Sequence, residues 1–319
     1  REEPLPEEYT LSEYEREPPS NLSPAEAGYL IGREMANVAD LIAGEILWLV
    51  ENDYLTMEEI ELEEQGLFGK KKIKRICFRK TEKDPSGLNR HQKYLYDYIT
   101  FYPNVMHDGK EYFSFDKLDR YDYTFALHVK TFQQILTKSF ESKKYIDNTG
   151  NNIMIPLSFF SLVIFLSFAY SYIGLISFVV AIEGAIFLLL VSFRKDILGK
   201  WSKGGRIEFI RWSKYKKFME DLTLMKEKLP TDIILWETLL VYATALGVAE
   251  KVIKVMKVKI PEERLRRSRL YVFSAYAPVF LFSIRDTVSH STRGVSGGGI
   301  SGGGFGGGRG GGGGGGGAR

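Results

Sequence analysis

The sequence predicts an α+β, mainly α, chain built around a two-helix transmembrane hairpin, with winged-helix-like modules before it and helices after it. Three observations carry this prediction. Residues 153–193 hold a single formally charged side chain, Glu183. The stretch before them alternates capped helical periodicity with strand-like alternation. The stretch from Gly294 to the end holds 18 of the 32 glycines. Five segments follow: an acidic linker (1–21), a winged-helix-like region (22–148), the hairpin (153–193), a helical region (194–290) and a disordered Gly-rich tail (291–319).

Bulk composition hides this organisation. Over 319 residues, 44% hydrophobic and 26% charged side chains are the values of an ordinary water-soluble protein. A mean hydropathy of −0.15 says the same, because it averages pieces that are unlike one another. Cys77 is the only cysteine, which excludes a disulfide scaffold. His91, His107, His128 and His290 are scattered without metal-ligand spacing, so no metal or other cofactor is expected. A net charge of +3 gives no global attraction to nucleic acid.

A chain that opens at Arg1, without the basic, apolar and small-residue regions of a signal peptide, reads as a fragment or a processed product. Its first seventeen residues hold seven glutamates against two arginines and are spotted with proline, a composition that resists packing. Ser23-Pro24-Ala25-Glu26 is a helix start, with Ser23 as N-cap, Pro24 in the first turn and Glu26 closing a capping box. Val38, Leu41, Ile42, Ile46 and Leu49 recur at helical spacing over Val38–Glu51. Tyr54–Leu62 and Lys72–Arg79 alternate as strands, with Gly66 and Gly69 between them as a turn. Helix, helix, hairpin is a winged-helix-like order. Leu88–Phe101 and Tyr121–Phe140 are further amphipathic helices around Lys110–Phe115, which suggests a second similar unit.

From Ile153 to Phe193 the chain is apolar over about 41 residues, twice the roughly 20 that one spanning helix needs. Ser171-Tyr172-Ile173-Gly174 marks the turn between Ile153–Ser171 and Leu175–Phe193. Both flanks are basic and the turn has no lysine or arginine, so both soluble regions are expected in the cytoplasm. A carboxylate near the midplane costs about 2.5–3.5 kcal/mol on insertion scales. Thirteen Leu, Ile, Phe and Val residues in the same span each return roughly 0.3–0.6 kcal/mol, so insertion wins despite Glu183. Ser177, Ala181, Gly184 and Ala185 form a small-residue stripe suited to close helix packing. Glu183 lies off that stripe. It is a candidate contact in assembly, a silent protonated residue, or part of an ion or proton pathway.

After the hairpin, Ile207–Met225 interleaves aromatic with basic residues. Arg211, Trp212, Lys214, Lys216 and Lys217 are candidates for lying on anionic lipid. Ile233–Met256 reads as one longer apolar helix of the core, and Val272–Ile284, with Pro278 inside it, as core or interfacial. The closing glycines cannot bury enough apolar surface to order the backbone.

Two segments resemble a known family. Leu22-Ser23-Pro24-Ala25-Glu26-Ala27-Gly28-Tyr29-Leu30 is similar to the opening of the cytoplasmic part of YciQ-like predicted membrane proteins. Tyr242-Ala243-Thr244-Ala245-Leu246-Gly247-Val248-Ala249-Glu250-Lys251 is similar to a later helix of the same family, and the glycine-rich end also fits. The resemblance implies an extracytoplasmic β-rich domain and a further span upstream. It brings no catalytic residues, because the family is uncharacterised.

No G-x-x-x-x-G-K-[ST] or G-x-S-x-G motif occurs, and Glu58/Glu59 and Glu63/Glu64 read as solvated surface, so an enzyme is not expected. The leading expectation is a cell-membrane, multi-pass scaffold or signalling subunit that binds other proteins, or a second copy of itself, through its cytoplasmic regions. Alternatives are a transport-related subunit using Glu183 and a membrane-tethered nucleic-acid binder using Lys70, Lys71, Lys72, Lys74 and Arg75. Specific nucleic-acid binding is not expected, since the helix in the recognition position carries Asp40, Glu45 and Glu51 and no base.

Overall fold

The structure is a computed structural model that describes residues 12–66, 69–118, 123–147, 160, 200–222 and 233–295. Apart from Phe160, the predicted hairpin lies outside the described residues, as do most of the Gly-rich tail and the first eleven residues. Among the described residues no helix is long and apolar enough to cross a membrane.

Helix α1 (Pro24–Gly32) begins at the expected capping box. The Ser23 hydroxyl accepts from the Glu26 N–H, and the Glu26 carboxylate accepts from the Ser23 N–H. Helix α2 (Val38–Glu51) is capped by Asn37, and every residue from Ala39 to Val50 except Trp48 is buried. It is the central helix of the core, not an exposed recognition helix. The acidic residues that argued against DNA at this helix are therefore, for Asp40 and Glu45, interior groups.

Strands β1 (Leu55–Gly66) and β2 (Gly69–Lys80) form an antiparallel hairpin in the register Leu55↔Lys80 to Gly66↔Gly69, a little longer than the alternation predicts. Its base joins the core through Met57, Ile76 and Phe78. Towards its tip, Lys70, Lys72 and Lys74 pair with Glu63, Glu61 and Glu59 across the ladder, and Arg75 with Glu64. The basic run is thus matched by acids on the facing strand, which leaves it little net field for a nucleic acid. Helix α3 (Arg90–Phe101) starts at a second capping box, Asn89 with Gln92. The short strands β3 (Val105–His107) and β4 (Lys110–Tyr112) follow, and a Phe78↔Phe113 bridge ties them to β2. Helix α4 (Tyr123–Ser142) leads to β5 (Ile146–Asp147).

Beyond the apolar segment the chain resumes with β6 (Lys200–Trp201) and helix α5 (Lys203–Asp221). The predicted single helix Ile233–Met256 is two, α6 (Ile233–Ala245) and α7 (Ala249–Lys259). Gly247 separates them at φ 74°, a conformation that glycine adopts without cost. After the short α8 (Glu262–Leu265), α9 (Tyr271–Val295) buries Phe273, Ala277, Phe280, Leu281 and Ile284. It is a core helix that carries Pro278 on its exposed side and runs four residues past the predicted start of the tail.

The regions before and after the apolar segment, which periodicity treats as separate units, share one hydrophobic core running from Leu22 to Val288. Helix α6 crosses α1 and α2 so closely that a Cβ on Gly28 would lie 2.6 Å from the Ala245 carbonyl oxygen. One on Gly44 would lie 2.6 Å from the Ala245 Cβ. The second expected winged-helix-like unit is part of this same core. The result is a mainly helical fold with small antiparallel sheets.

Residues 12–21 are also packed, against the linker expectation. The Tyr14 ring meets the edge of Phe218, and its hydroxyl donates to Asp221 at 3.0 Å. The Trp212 indole N–H donates to the Ser20 hydroxyl at 3.1 Å. The acids that would repel one another in isolation find counter-charges on α5.

Candidate functional site

Glu183 and the stripe of Ser177, Ala181, Gly184 and Ala185 lie outside the described residues. The lipid-surface candidates on α5 divide into two sets. Trp212 is fully buried together with Tyr215, Phe218 and Met219, so it is unavailable to a membrane surface. The periodicity was that of an amphipathic helix, and its apolar face found a protein core instead of lipid. Of the basic residues, Arg211 pairs with Glu15, Lys217 with Glu13, and the Lys214 amine donates to the Ser12 carbonyl. Lys216 is half-buried. The outward face of α5 is therefore strapped by the acidic N-terminal segment.

Three polar constellations were not singled out by the sequence. The first is interior. Glu45 on α2 and His91 on α3 are both 0% exposed, with His91 Nε2 3.1 Å from Glu45 Oε1 and 2.8 Å from Ser23 Oγ. Glu45 also accepts from the Ala25 N–H at 3.1 Å and the Gln92 amide at 3.2 Å. Serine, histidine and glutamate in contact suggest a nucleophile relay, but the geometry is wrong for one. A relay holds the acid on one ring nitrogen and the hydroxyl on the other. Here both meet Nε2, while Nδ1 has no hydrogen-bond partner. With no solvent access either, the cluster joins α1, α2 and α3 through a satisfied buried carboxylate.

The second constellation is at the C-terminal end of α2. Burial pushes the Glu51 carboxyl up to about 7, the neighbouring Glu237 adds to the rise, and a hydrogen bond from Thr238 opposes it. The Thr238 hydroxyl donates to Glu51 Oε1 at 2.6 Å. Glu237 itself accepts from the Ser268 hydroxyl at 2.6 Å and the Arg269 N–H at 2.7 Å.

The third surrounds the point where the chain leaves for the apolar segment and returns. Strands β5 and β6 pair antiparallel, Ile146 with Trp201 and Asp147 with Lys200. The Tyr145 carbonyl accepts from the Ser202 N–H at 2.9 Å. It lies so close to the first turn of α5 that a Cβ on Gly205 would come within 2.1 Å of it. The Trp201 ring packs on Phe209, and the Arg33 guanidinium sits 5.2 Å from the Trp201 ring centroid. Arg33 adopts a φ of 50°, strained for a side-chain-bearing residue, and Met35 two residues on is 93% exposed. Lys144, Lys200 and Lys203 are exposed around the same ladder. Neither β5 nor β6 has a sequence signal, since two residues are too few for alternation to register.

Among the described residues no group of three His, Cys, Asp or Glu side chains could hold a metal ion. An exposed apolar group lies at the far end of α3 and the start of α4, where Phe101 (73% exposed), Tyr102, Tyr123 and Leu127 come to the surface and Tyr102 meets the His128 ring.

A family model described as the C-terminal domain of a predicted membrane protein (DUF2207) matches residues 12–256. No curated protein and no solved structure matches the chain.

Proposed function

The chain belongs to the DUF2207 family of predicted membrane proteins, as a match over most of its length shows, and on that premise we propose that it is a two-span, non-enzymatic membrane scaffold. Residues 153–193 cross the bilayer as a helical hairpin in this reading. Both flanks lie in the cytoplasm as one folded body that presents a winged-helix-like hairpin and helix surfaces to a protein partner.

One observation carries this reading. The segments before and after the apolar run are built into a single core and are paired at its very base, Asp147 with Lys200. Two flanks that share a core lie on one side of a bilayer, so whatever crosses between them crosses an even number of times. About 41 apolar residues suffice for two spans and not for four. The basic flanks then choose the cytoplasmic side. The exposed group at Phe101, Tyr102, Tyr123 and Leu127 supports a protein-binding role, since grouped apolar side chains at a surface mark contact sites.

The test is cysteine accessibility in whole cells. Cysteines at Ser171 or Tyr172 react with an impermeant thiol reagent from outside, while one at the exposed Ser142 reacts only after the cells are opened. Reaction of the Ser142 position in intact cells would overturn the cytoplasmic placement of the body.

A further inference from the structure

We propose that the surface around the β5–β6 ladder, formed by Arg33, Met35, Lys144, Lys200 and Trp201, is a docking face for anionic phospholipid headgroups. It seats the folded body on the membrane instead of leaving it to swing on two linkers. This inference rests on the two-span reading above.

The tether lengths bring the face to the membrane. Five residues separate Asp147 from Ile153, and six separate Phe193 from Lys200. At no more than about 3.6 Å per residue, the shorter tether holds the ladder within roughly 20 Å of the start of the apolar run. Headgroups occupy the first several ångströms of that distance, and their field reaches a further 8–10 Å or so at physiological ionic strength. The ladder is thus confined to the zone where charge and amphipathic rings are sorted by the bilayer.

The side chains there are of the kinds that such a zone selects. Trp201 is half-buried, with its ring held by Phe209 on one side and Arg33 near its face. Tryptophan is enriched at headgroup level because one molecule offers an apolar ring and a polar N–H. Met35 projects from the turn after α1 with 93% of its surface exposed, the most exposed large apolar residue among those described. Arg33 has a strained backbone at φ 50°, and its guanidinium lies over the indole. Lys144 and Lys200 are exposed on the two chain ends that lead into the apolar run, and Arg194 and Lys195 follow that run in sequence. Lipid contact is therefore placed one element earlier than the aromatic–basic pattern of α5 suggests, at its N-terminal approach and not along its length.

The full chain, reconstituted in phosphatidylcholine vesicles with and without about one third phosphatidylglycerol, tests this. A fluorophore on Met35→Cys reports the face, and one on Ser167→Cys reports the apolar run. Buried Cys77, whose thiol burial pushes up to about 11, stays unlabelled. The Met35 label is expected to be quenched by lipids carrying a shallow nitroxide in anionic vesicles. That quenching falls at least about fivefold in Arg33→Glu combined with Lys200→Glu, or in neutral vesicles, while the Ser167 label stays quenched by a deep nitroxide throughout. A Ser167 label that is deep while the Met35 label remains aqueous in anionic vesicles overturns the docking face alone. Equal quenching of the Met35 label in neutral and anionic vesicles overturns its specificity for anionic lipid. Loss of deep quenching at Ser167 overturns the two-span reading beneath it.

Discussion

Glu51 offers a quantitative test of how the two halves of the body are joined. It ends α2, accepts from Thr238 on α6, and faces Glu237, so it sits at the seam between the segments that precede and follow the apolar run. A carboxylate at a helix C-terminus also meets the negative end of the helix dipole. The folded protein holds the Glu51 proton up to about pH 7, against 4.5 in the unfolded chain. Because the native state binds the proton more tightly, this group's contribution to stability is greatest below pH 4.5, is lost as pH rises towards 7, and is flat above that. A rise from 4.5 to about 7 corresponds to about 3.4 kcal/mol at 1.36 kcal/mol per pH unit. Glu51 is half-buried and solvent reaches one edge of it, so screening reduces this to roughly 1–2 kcal/mol. Glu51→Gln keeps an acceptor for the Thr238 hydroxyl and removes the charge. Equilibrium unfolding followed by tryptophan fluorescence should show the variant and the parent within a few tenths of a kcal/mol at pH 4.5–5. By pH 8 the variant should be the more stable by about 1–2 kcal/mol. Carboxylates distant from Glu51 contribute equally in both proteins, so they cancel in the difference. A gap that is constant with pH, or that narrows as pH rises, would refute the assignment of a buried, proton-holding Glu51.

Three further outcomes test the packing around the candidate site. Asp147→Cys with Lys200→Cys should form a disulfide on mild oxidation, because antiparallel partners lie about 4.5–5.5 Å apart at Cα, within disulfide range; peptide mapping that finds both thiols free would remove the ladder. Gly205→Ala drives a methyl into the Tyr145 carbonyl, and should lower stability by about 1–3 kcal/mol by urea titration even though alanine favours helix. Trp212→Ala should cost about 3–5 kcal/mol, whereas Lys217→Ala, at an exposed ion pair, should leave stability nearly unchanged; a Trp212 variant as stable as the parent, but released from vesicles, would restore Trp212 as a lipid anchor.

Much of this architecture was legible because its signals are local. The capping box at Ser23 and Glu26, the periodicity of Val38–Glu51 and the alternation of Lys72–Arg79 are each complete within a dozen residues, and each element formed where expected. What failed was the inference from a pattern to its surroundings. The amphipathic face of α5 was correctly periodic, but periodicity states only that Trp212, Tyr215 and Phe218 will avoid water. It does not state whether lipid or protein will cover them. The acids of α2 register along the chain only as charge unfavourable to DNA, yet Glu45 is enclosed because His91, 46 residues away, and Gln92 arrive to meet it. The same holds for the break at Gly247. A glycine inside an apolar run is tolerated in a helix, and only the crossing of α6 over Gly28 and Gly44 explains why the chain must turn soon after Ala245.

The β5–β6 ladder is the extreme case. It consists of two residues on each side, separated by an apolar stretch with no sequence pattern that points across it. Composition treats that stretch as a boundary between domains, because a change in hydropathy is the usual mark of one. The core shows the opposite relation: the apolar segment interrupts a single body, and its two ends are closed against each other where it leaves. An insertion between such ends adds little strain to its host, since the paired ends lie only as far apart as neighbouring strands. Closure of this sort lets the body fold through its own paired ends, Asp147 and Lys200, independently of what the intervening segment does. The body's stability should therefore depend on the ladder and on Gly205 far more than on the length or sequence of residues 153–193.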